Sequence, residues 1–189
     1  MDIDWTNELP EQFDWHWTHH LRPRLDGLTD EEYRWEPVPG AWSVRPRAEA
    51  TTPHAAGAAE TVIDYEFPEP SPPPVTTIAW RMGHISIGIF GMRAANHFGT
   101  GGVGYDSTDW PLTAAGGLDL LERSYRAWLD GIKTLDPEAL GRPVGEHEGP
   151  YAEYPFATLI LHINREAIHH GAEICLLRDL YAHRTGGVR

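Results

Sequence analysis

The longest regular pattern of apolar positions lies near the C-terminal end of the sequence, where apolar residues recur at alternating steps of four and three. This spacing places them on one stripe of an α-helix that packs against other helices. The stripe consists of Phe156, Ile160, Ile163, Ala167, His170, Ile174, Leu177 and Tyr181. The pattern therefore predicts a long helix with one imidazole, that of His170, on its apolar seam.

Similar stripes predict three further helices. They run from about residue 10 to 27, from Thr76 or Thr77 to the Gly99 region, and from 118 to 135, where Asp136-Pro137 stops the third. Helices with one apolar stripe each are not stable alone, so we expect them to pack together. The predicted fold is an all-α four-helix bundle, formed as a single domain by residues 1–189.

Residues 28–74 form a long connection between the first two predicted helices and are rich in proline and glycine. Connections of this length are uncommon in compact domains and are usually functional or partly disordered. Residues 60–67 contain enough β-branched and aromatic side chains to predict a short strand. Trp35, Trp42 and Trp110 are candidates either for lining the mouth of a pocket or for anchoring loops on the core.

Composition narrows the possible functions. The chain has 189 residues, a single cysteine and a formal net charge of −13. One cysteine excludes a disulfide framework within the chain, and the acidic balance argues against nucleic acid as a partner. No secretory signal pattern and no stretch of about 20 apolar residues is evident. We therefore expect a cytoplasmic protein that does not bind membranes.

Three polar residues in the second and fourth predicted helices form a candidate metal site. Glu166 precedes His170 by one helical turn, so both side chains can reach one point. His84 lies among apolar neighbours in the second predicted helix. One ligand from one helix and two from another would leave a fourth position open, as in catalytic zinc sites. Without a metal, the same three side chains would form a buried hydrogen-bonded network.

Other histidines near this site fit a ligand role less well. His162 lies eight residues before His170, about 12 Å along the helix axis, so it is a better candidate for supporting or packing the site. His169 points about 100° away from His170 and is expected on the helix surface. We expect Cys175 to be a buried, unreactive thiol.

The remaining histidines lie outside the candidate site. Of the three in the first predicted helix, His20 is the one best placed to reach the bundle interior. The others that we expect on the solvated surface, in loops or near helix ends, are His54, His97, His147 and His183.

Two segments resemble a known family. Residues 77–85 (TIAWRMGHI) and 166–178 (EAIHHGAEICLLR) look like the ligand-bearing segments of the DinB/YfiT-like metalloprotein superfamily, and residues 30–47 look like a loop found in one branch of it. The resemblance implies a bundle with up-down-down-up order, often dimeric. It also implies a divalent metal, usually zinc or nickel, held by three ligands.

The middle ligand position distinguishes branches of that superfamily. The common version has three histidines, whereas here the positions match His84, Glu166 and His170. This arrangement is similar to the mycothiol-dependent branch, which includes mycothiol S-transferases and the N-terminal domain of maleylpyruvate isomerase. The resemblance thus implies mycothiol as a co-substrate.

These observations lead to three functional hypotheses. The first is a metal-dependent thiol S-transferase, in which a metal-activated low-molecular-weight thiol attacks an electrophilic small molecule. The second is a hydrolase that uses a metal-activated water. The third is a noncatalytic metal-binding bundle. In each case the protein could form a homodimer.

Overall fold

Each of the four predicted apolar stripes lies on a long helix in the computed structural model, which describes residues 2–184. The prediction of an all-α bundle is confirmed. Met1 and residues 185–189, which belong to the predicted domain, lie outside the described residues. Within residues 2–184, no helix combines the length and the apolar character needed to cross a membrane.

Two of the long helices, α1 and α3, change to π-helical geometry along their length. In chain order the elements are α1 (α-helical over Trp5–His16, π-helical over Trp17–Leu21, with a last turn at Arg22–Arg24), α2 (Asp30–Tyr33), β1 (Val44–Pro46), β2 (Thr61–Ile63), α3 (α-helical over Ile78–Gly83, π-helical over His84–Gly91, α-helical over Met92–Phe98), α4 (Ala114–Ile132), α5 (Pro137–Gly141) and α6 (Phe156–His183). Short 3-10 turns lie at Arg47–Glu49 and Glu146–Tyr151.

Side-chain caps explain where α1 and α3 begin. Helix α1 begins five residues before the predicted start at Pro10, because the Asp4 carboxylate accepts a hydrogen bond from the backbone of Thr6. The predicted cap at Thr77 is confirmed, since its hydroxyl accepts a hydrogen bond from the backbone N–H of Trp80. Helix α3 ends immediately before Gly99, as predicted.

Helix α4 lies about four residues earlier in the chain than its apolar stripe predicts. The Thr113 hydroxyl accepts a hydrogen bond from the backbone of Gly116 and starts the helix there. The helix ends at Ile132, before Asp136. The Asp136 carboxylate caps the short helix α5, whose first residue is Pro137.

Helix α3 is the central helix of the bundle and packs against both α4 and α6. All of its residues from Ile85 to Phe90 are buried, as expected for a helix that is apolar on every side. Helix α1 packs mainly against α6 and contributes Phe13, Trp17 and Leu21 to the core. Polar side chains on α3 are therefore held in an apolar environment.

The proline-rich connection folds onto the start of α3. Strands β1 and β2 pair antiparallel, with Val44 opposite Ile63, so the strand predicted within residues 60–67 is confirmed with the narrower bounds Thr61–Ile63. An isolated bridge between Trp42 and Thr76 joins the same segment to the residues just before α3.

Asp64 holds this connection together from a fully buried position. Its carboxylate accepts hydrogen bonds from the backbone of Ser43 at 2.9 Å, from Nε of Arg45 at 2.8 Å and from the backbone of Thr51 at 3.3 Å. Its backbone carbonyl accepts a hydrogen bond from the Trp80 indole at 2.7 Å. One residue thus links the two strands to helix α3.

Replacing Asp64 by alanine should lower the free energy of unfolding by about 3 kcal/mol, because the half-buried Arg45 guanidinium would lose its fully buried partner and keep only the more exposed Glu36 carboxylate. Urea denaturation followed by circular dichroism measures this change. Asp119→Ala is the matched control, since Asp119 forms an exposed ion pair with Arg123 on α4. Equal destabilisation by the two substitutions would contradict the anchoring role of Asp64.

Candidate metal centre

Helices α3 and α6 bring His84 and His170 side by side. Their ring centroids are 4.9 Å apart and the ring planes are nearly perpendicular. Nε2 of His170 lies 3.5 Å from Oε2 of Glu166, one turn earlier on α6. His170 therefore contacts both of the other residues that the sequence analysis selected as metal ligands. Their role as ligands is still a prediction.

Both imidazoles are hydrogen-bonded through Nδ1. Nδ1 of His84 lies 2.6 Å from the Tyr105 hydroxyl, and Nδ1 of His170 lies 2.8 Å from Oε2 of Glu173. These bonds leave Nε2 of each ring as the nitrogen that can bind a metal ion. Nε2 of His170 faces Glu166. Histidines that bind metals usually have the other ring nitrogen hydrogen-bonded in this way, which fixes the tautomer and the ring orientation.

A glycine makes the contact with Tyr105 possible. A Cβ atom at Gly88 would lie 2.6 Å from the Tyr105 hydroxyl and 3.0 Å from Nδ1 of His84. Any side chain at this position would occupy the space of the hydrogen bond between the tyrosine and the imidazole. Gly88 lies one turn after His84 in the π-helical section of α3.

Burial keeps both imidazoles neutral. It lowers the pKa of His84 to about 3, and the adjacent His170 and the positive charges of Arg81 and Arg93 lower it further. Burial also lowers the pKa of His170, although its hydrogen bond to Glu173 acts in the opposite direction. Both rings are therefore neutral at physiological pH, which is the form that binds metal ions.

Three further residues, Arg81, Trp80 and Glu173, support the two imidazoles, and the apolar pattern of the sequence predicts no role for them. Nε of Arg81 lies 2.8 Å from Oε2 of Glu173. This ion pair positions the carboxylate that is hydrogen-bonded to His170. The Trp80 ring stacks on His84 with centroids 5.3 Å apart. Their spacing in the sequence indicates this role, because Arg81 and Glu173 each lie three residues from a predicted ligand on the same helix.

A second possible ligand set shares His170. Within residues 2–184, His169, His170 and Glu173 form a group in which one donor atom of each lies within 4.8 Å of the others, and the predicted set does not meet that distance. Oε1 of Glu166 instead lies 3.7 Å from His162. The His169 side chain is 65% exposed, as predicted for a surface residue, and Glu173 is paired with a guanidinium.

A cavity of about 1100 Å³, here called the His84 cavity, opens beside the candidate site. Its walls are formed by residues 54–69 of the proline-rich connection and by residues 102–107, which belong to the glycine-rich loop between α3 and α4. Trp42, Trp80 and His84 also line it. Residues 28–74, whose composition alone predicts no specific role, therefore form part of this cavity. Of the other two tryptophans considered for a pocket mouth, Trp110 is in the core and Trp35 packs against Tyr181.

One expectation about the histidines is wrong, and one candidate for the bundle interior lies on the surface. The His97 side chain, expected in solvent, is only 6% exposed, and its Nε2 lies 2.9 Å from Oε1 of Glu148. The turn Glu146–Tyr151 covers the end of α3, and the sequence pattern does not indicate this long-range contact. His20, the candidate for the bundle interior, is exposed and lies against the ring of Trp15.

Comparison with known proteins identifies the family. The family model of the DinB superfamily matches residues 12–174, which include all three predicted ligands. Neither the curated proteins nor the solved structures contain a match. Because the family match covers most of the sequence, the chain belongs to the DinB superfamily, a superfamily of metal-binding proteins.

Proposed function

We propose that the protein is a metal-dependent thiol S-transferase in which His84, Glu166 and His170 bind a divalent metal ion. The observation that carries this proposal is the pair of neutral imidazoles, each hydrogen-bonded through Nδ1, beside a large cavity. Two imidazole nitrogens and one carboxylate suit zinc, and the same donors accept nickel. Three protein ligands leave room for a substrate atom.

The predicted set suits a catalytic ion better than the set formed by His169, His170 and Glu173. The Glu173 carboxylate already bonds Nδ1 of His170 and pairs with Arg81, so it orients a ligand. His169 is largely exposed. His84, by contrast, lies at the wall of the His84 cavity, where a substrate can approach.

The residues around the site orient the ligands and enclose a substrate. A bound divalent ion would lower the pKa of a thiol or a water in contact with it. Tyr105 and Glu173 hold the two rings through Nδ1, so Nε2 is the nitrogen available to a metal, and Trp80 restricts the ring of His84. The volume of the His84 cavity lies slightly above the usual range for ligand sites, so it can admit two small reactants.

The charge of the His84 cavity favours an uncharged thiol. Among the described residues that line it, the charged side chains are Glu66, Glu69 and Asp106, without lysine or arginine. Mycothiol carries no net charge, whereas glutathione is an anion that these carboxylates would repel. This supports mycothiol, which the resemblance to the mycothiol-dependent branch also favours.

Substituting one ligand from each candidate set should show which set binds the metal. We expect His84→Ala to reduce the affinity for zinc or nickel by more than about tenfold and His169→Ala to leave it unchanged. Metal content after dialysis against a chelator, measured by mass spectrometry, gives the answer. Metal loss in His169→Ala with retention in His84→Ala would assign the ion to His169, His170 and Glu173.

The Tyr105→Phe substitution tests whether the hydrogen bond to His84 supports the metal. It keeps the aromatic wall of the cavity but removes the hydroxyl, so metal affinity should fall by about 10- to 100-fold. Competition with a chromogenic chelator measures the affinity. Tyr65→Phe is the control, because Tyr65 lines the same cavity and packs against Tyr105. Equal affinities in all three proteins would exclude a supporting role for Tyr105.

Conjugation of chlorobimane to mycothiol, bacillithiol and glutathione tests the reaction itself. We expect metal-loaded protein to accelerate conjugation of mycothiol most, and we expect His84→Ala to lose that acceleration. Fluorescence of the product reports the rate. If the metal is bound and no thiol is turned over, the transferase proposal fails. Hydrolysis of an activated ester by the same preparation would then favour a hydrolase.

A further inference from the structure

A second cavity of about 420 Å³ lies between the N-terminal half of α6, the end of α3 and residues 144–154. Thr158, His162 and Arg165 of α6 face it, at successive steps of four and three. We call it the Arg165 cavity. It shares no lining residue with the His84 cavity. Its α6 wall ends next to Glu166, because Nε of Arg165 lies 3.7 Å from Oε1 of that carboxylate.

The side chains that line the Arg165 cavity have a net positive charge, whereas the whole chain has a net negative charge. Its charged lining residues are Arg93, Arg165 and Glu148, two cations against one anion, whereas the whole sequence has 28 acidic and 15 basic residues. A cavity with this balance in an acidic protein favours an anionic ligand over a cationic one.

The single carboxylate that lines the cavity, that of Glu148, already interacts with other side chains of the protein. Glu148 is buried and lies 2.9 Å from Nε2 of His97 and 3.5 Å from Nη2 of Arg93. The hydrogen bond from His97, together with the charge of Arg93, lowers the pKa of this carboxyl group. Glu148 therefore balances the charge of Arg93 and fixes the floor of the cavity.

Arg165 is the cation that remains for a ligand. Its side chain is 68% exposed. Its Nη2 donates a hydrogen bond to Nδ1 of His162 at 2.8 Å, and this imidazole does not neutralise its charge. The other contact of this guanidinium is longer, because its Nε lies 3.7 Å from Oε1 of Glu166. The guanidinium can therefore approach a carboxylate in the geometry that arginine prefers.

Two exposed aromatic rings complete the cavity. Tyr151 and Tyr154 pack edge to face with centroids 5.8 Å apart, and both are largely exposed. Leu159 and Val144 contribute apolar surface beside them. Exposed tyrosines beside a guanidinium form a site for a molecule with a flat apolar body and one anionic group.

We infer that the Arg165 cavity binds a small aromatic carboxylate. The carboxylate pairs with Arg165, and the aromatic ring packs against the exposed surface of Tyr151, Tyr154 and Leu159. This binding does not require the metal ion, so the inference does not depend on the proposed function. If both hold, the second ligand binds on the opposite side of Glu166 from His170.

Benzoate and its neutral analogue benzamide are suitable probes. Nitrogen–proton correlation spectra of the full chain, recorded during titration, should show benzoate shifting the amide signals of residues 144–154 and 158–165. Benzamide should bind more weakly. Arg165→Gln should weaken benzoate binding by about fivefold, as expected for an exposed charge pair, and leave benzamide binding unchanged. Tyr151→Ala should weaken both.

Two controls separate this site from general electrostatics and from the metal. Arg126→Gln removes a similarly exposed arginine on α4 and should leave benzoate affinity unchanged. His84→Ala should also retain benzoate binding, because its ring does not line the Arg165 cavity. The inference is overturned by equal binding of benzoate and benzamide, by equal losses in Arg126→Gln and Arg165→Gln, or by loss of binding in His84→Ala.

Discussion

The candidate site depends on the cost of placing two imidazoles inside an apolar seam. Burial disfavours the charged form of His84 and His170, and a ring nitrogen without a partner would cost free energy in that environment. Tyr105 and Glu173 meet this requirement at Nδ1 of the two rings. This need for a partner at Nδ1 accounts for three features of the site. They are the position of the glycine-rich loop that carries Tyr105, the absence of a side chain at Gly88, and the ion pair between Glu173 and the neighbouring guanidinium.

The proline-rich connection contributes to the site through Asp64. This carboxylate collects backbone and guanidinium donors from both strands, while its own backbone carbonyl bonds the Trp80 indole. Trp80 in turn stacks on His84. A chain of direct contacts therefore connects the fold of the connection to the orientation of an imidazole, and the same connection forms one wall of the cavity beside that ring.

Much of the fold and part of the site could be predicted from the sequence, because both depend on helical periodicity. The apolar stripes located the four helices, and polar residues among the apolar positions of two helices indicated that His84 and His170 lie close together, as their 4.9 Å centroid separation confirms. Contacts between distant loops and helices have no such period. For this reason Tyr105 was not predicted, and His97 was wrongly placed in solvent although it is covered by Glu146–Tyr151.

Helix α3 also links the two cavities through its wide turns. Hydrogen bonds in its π-helical section, His84–Gly91, span five residues instead of four, so each turn holds more residues than in an α-helix. The rotational phase of Arg93 relative to His84 depends on this local geometry. A change that tightened the section into regular α-helix would rotate the two ends of α3 against each other and misalign both cavities at once.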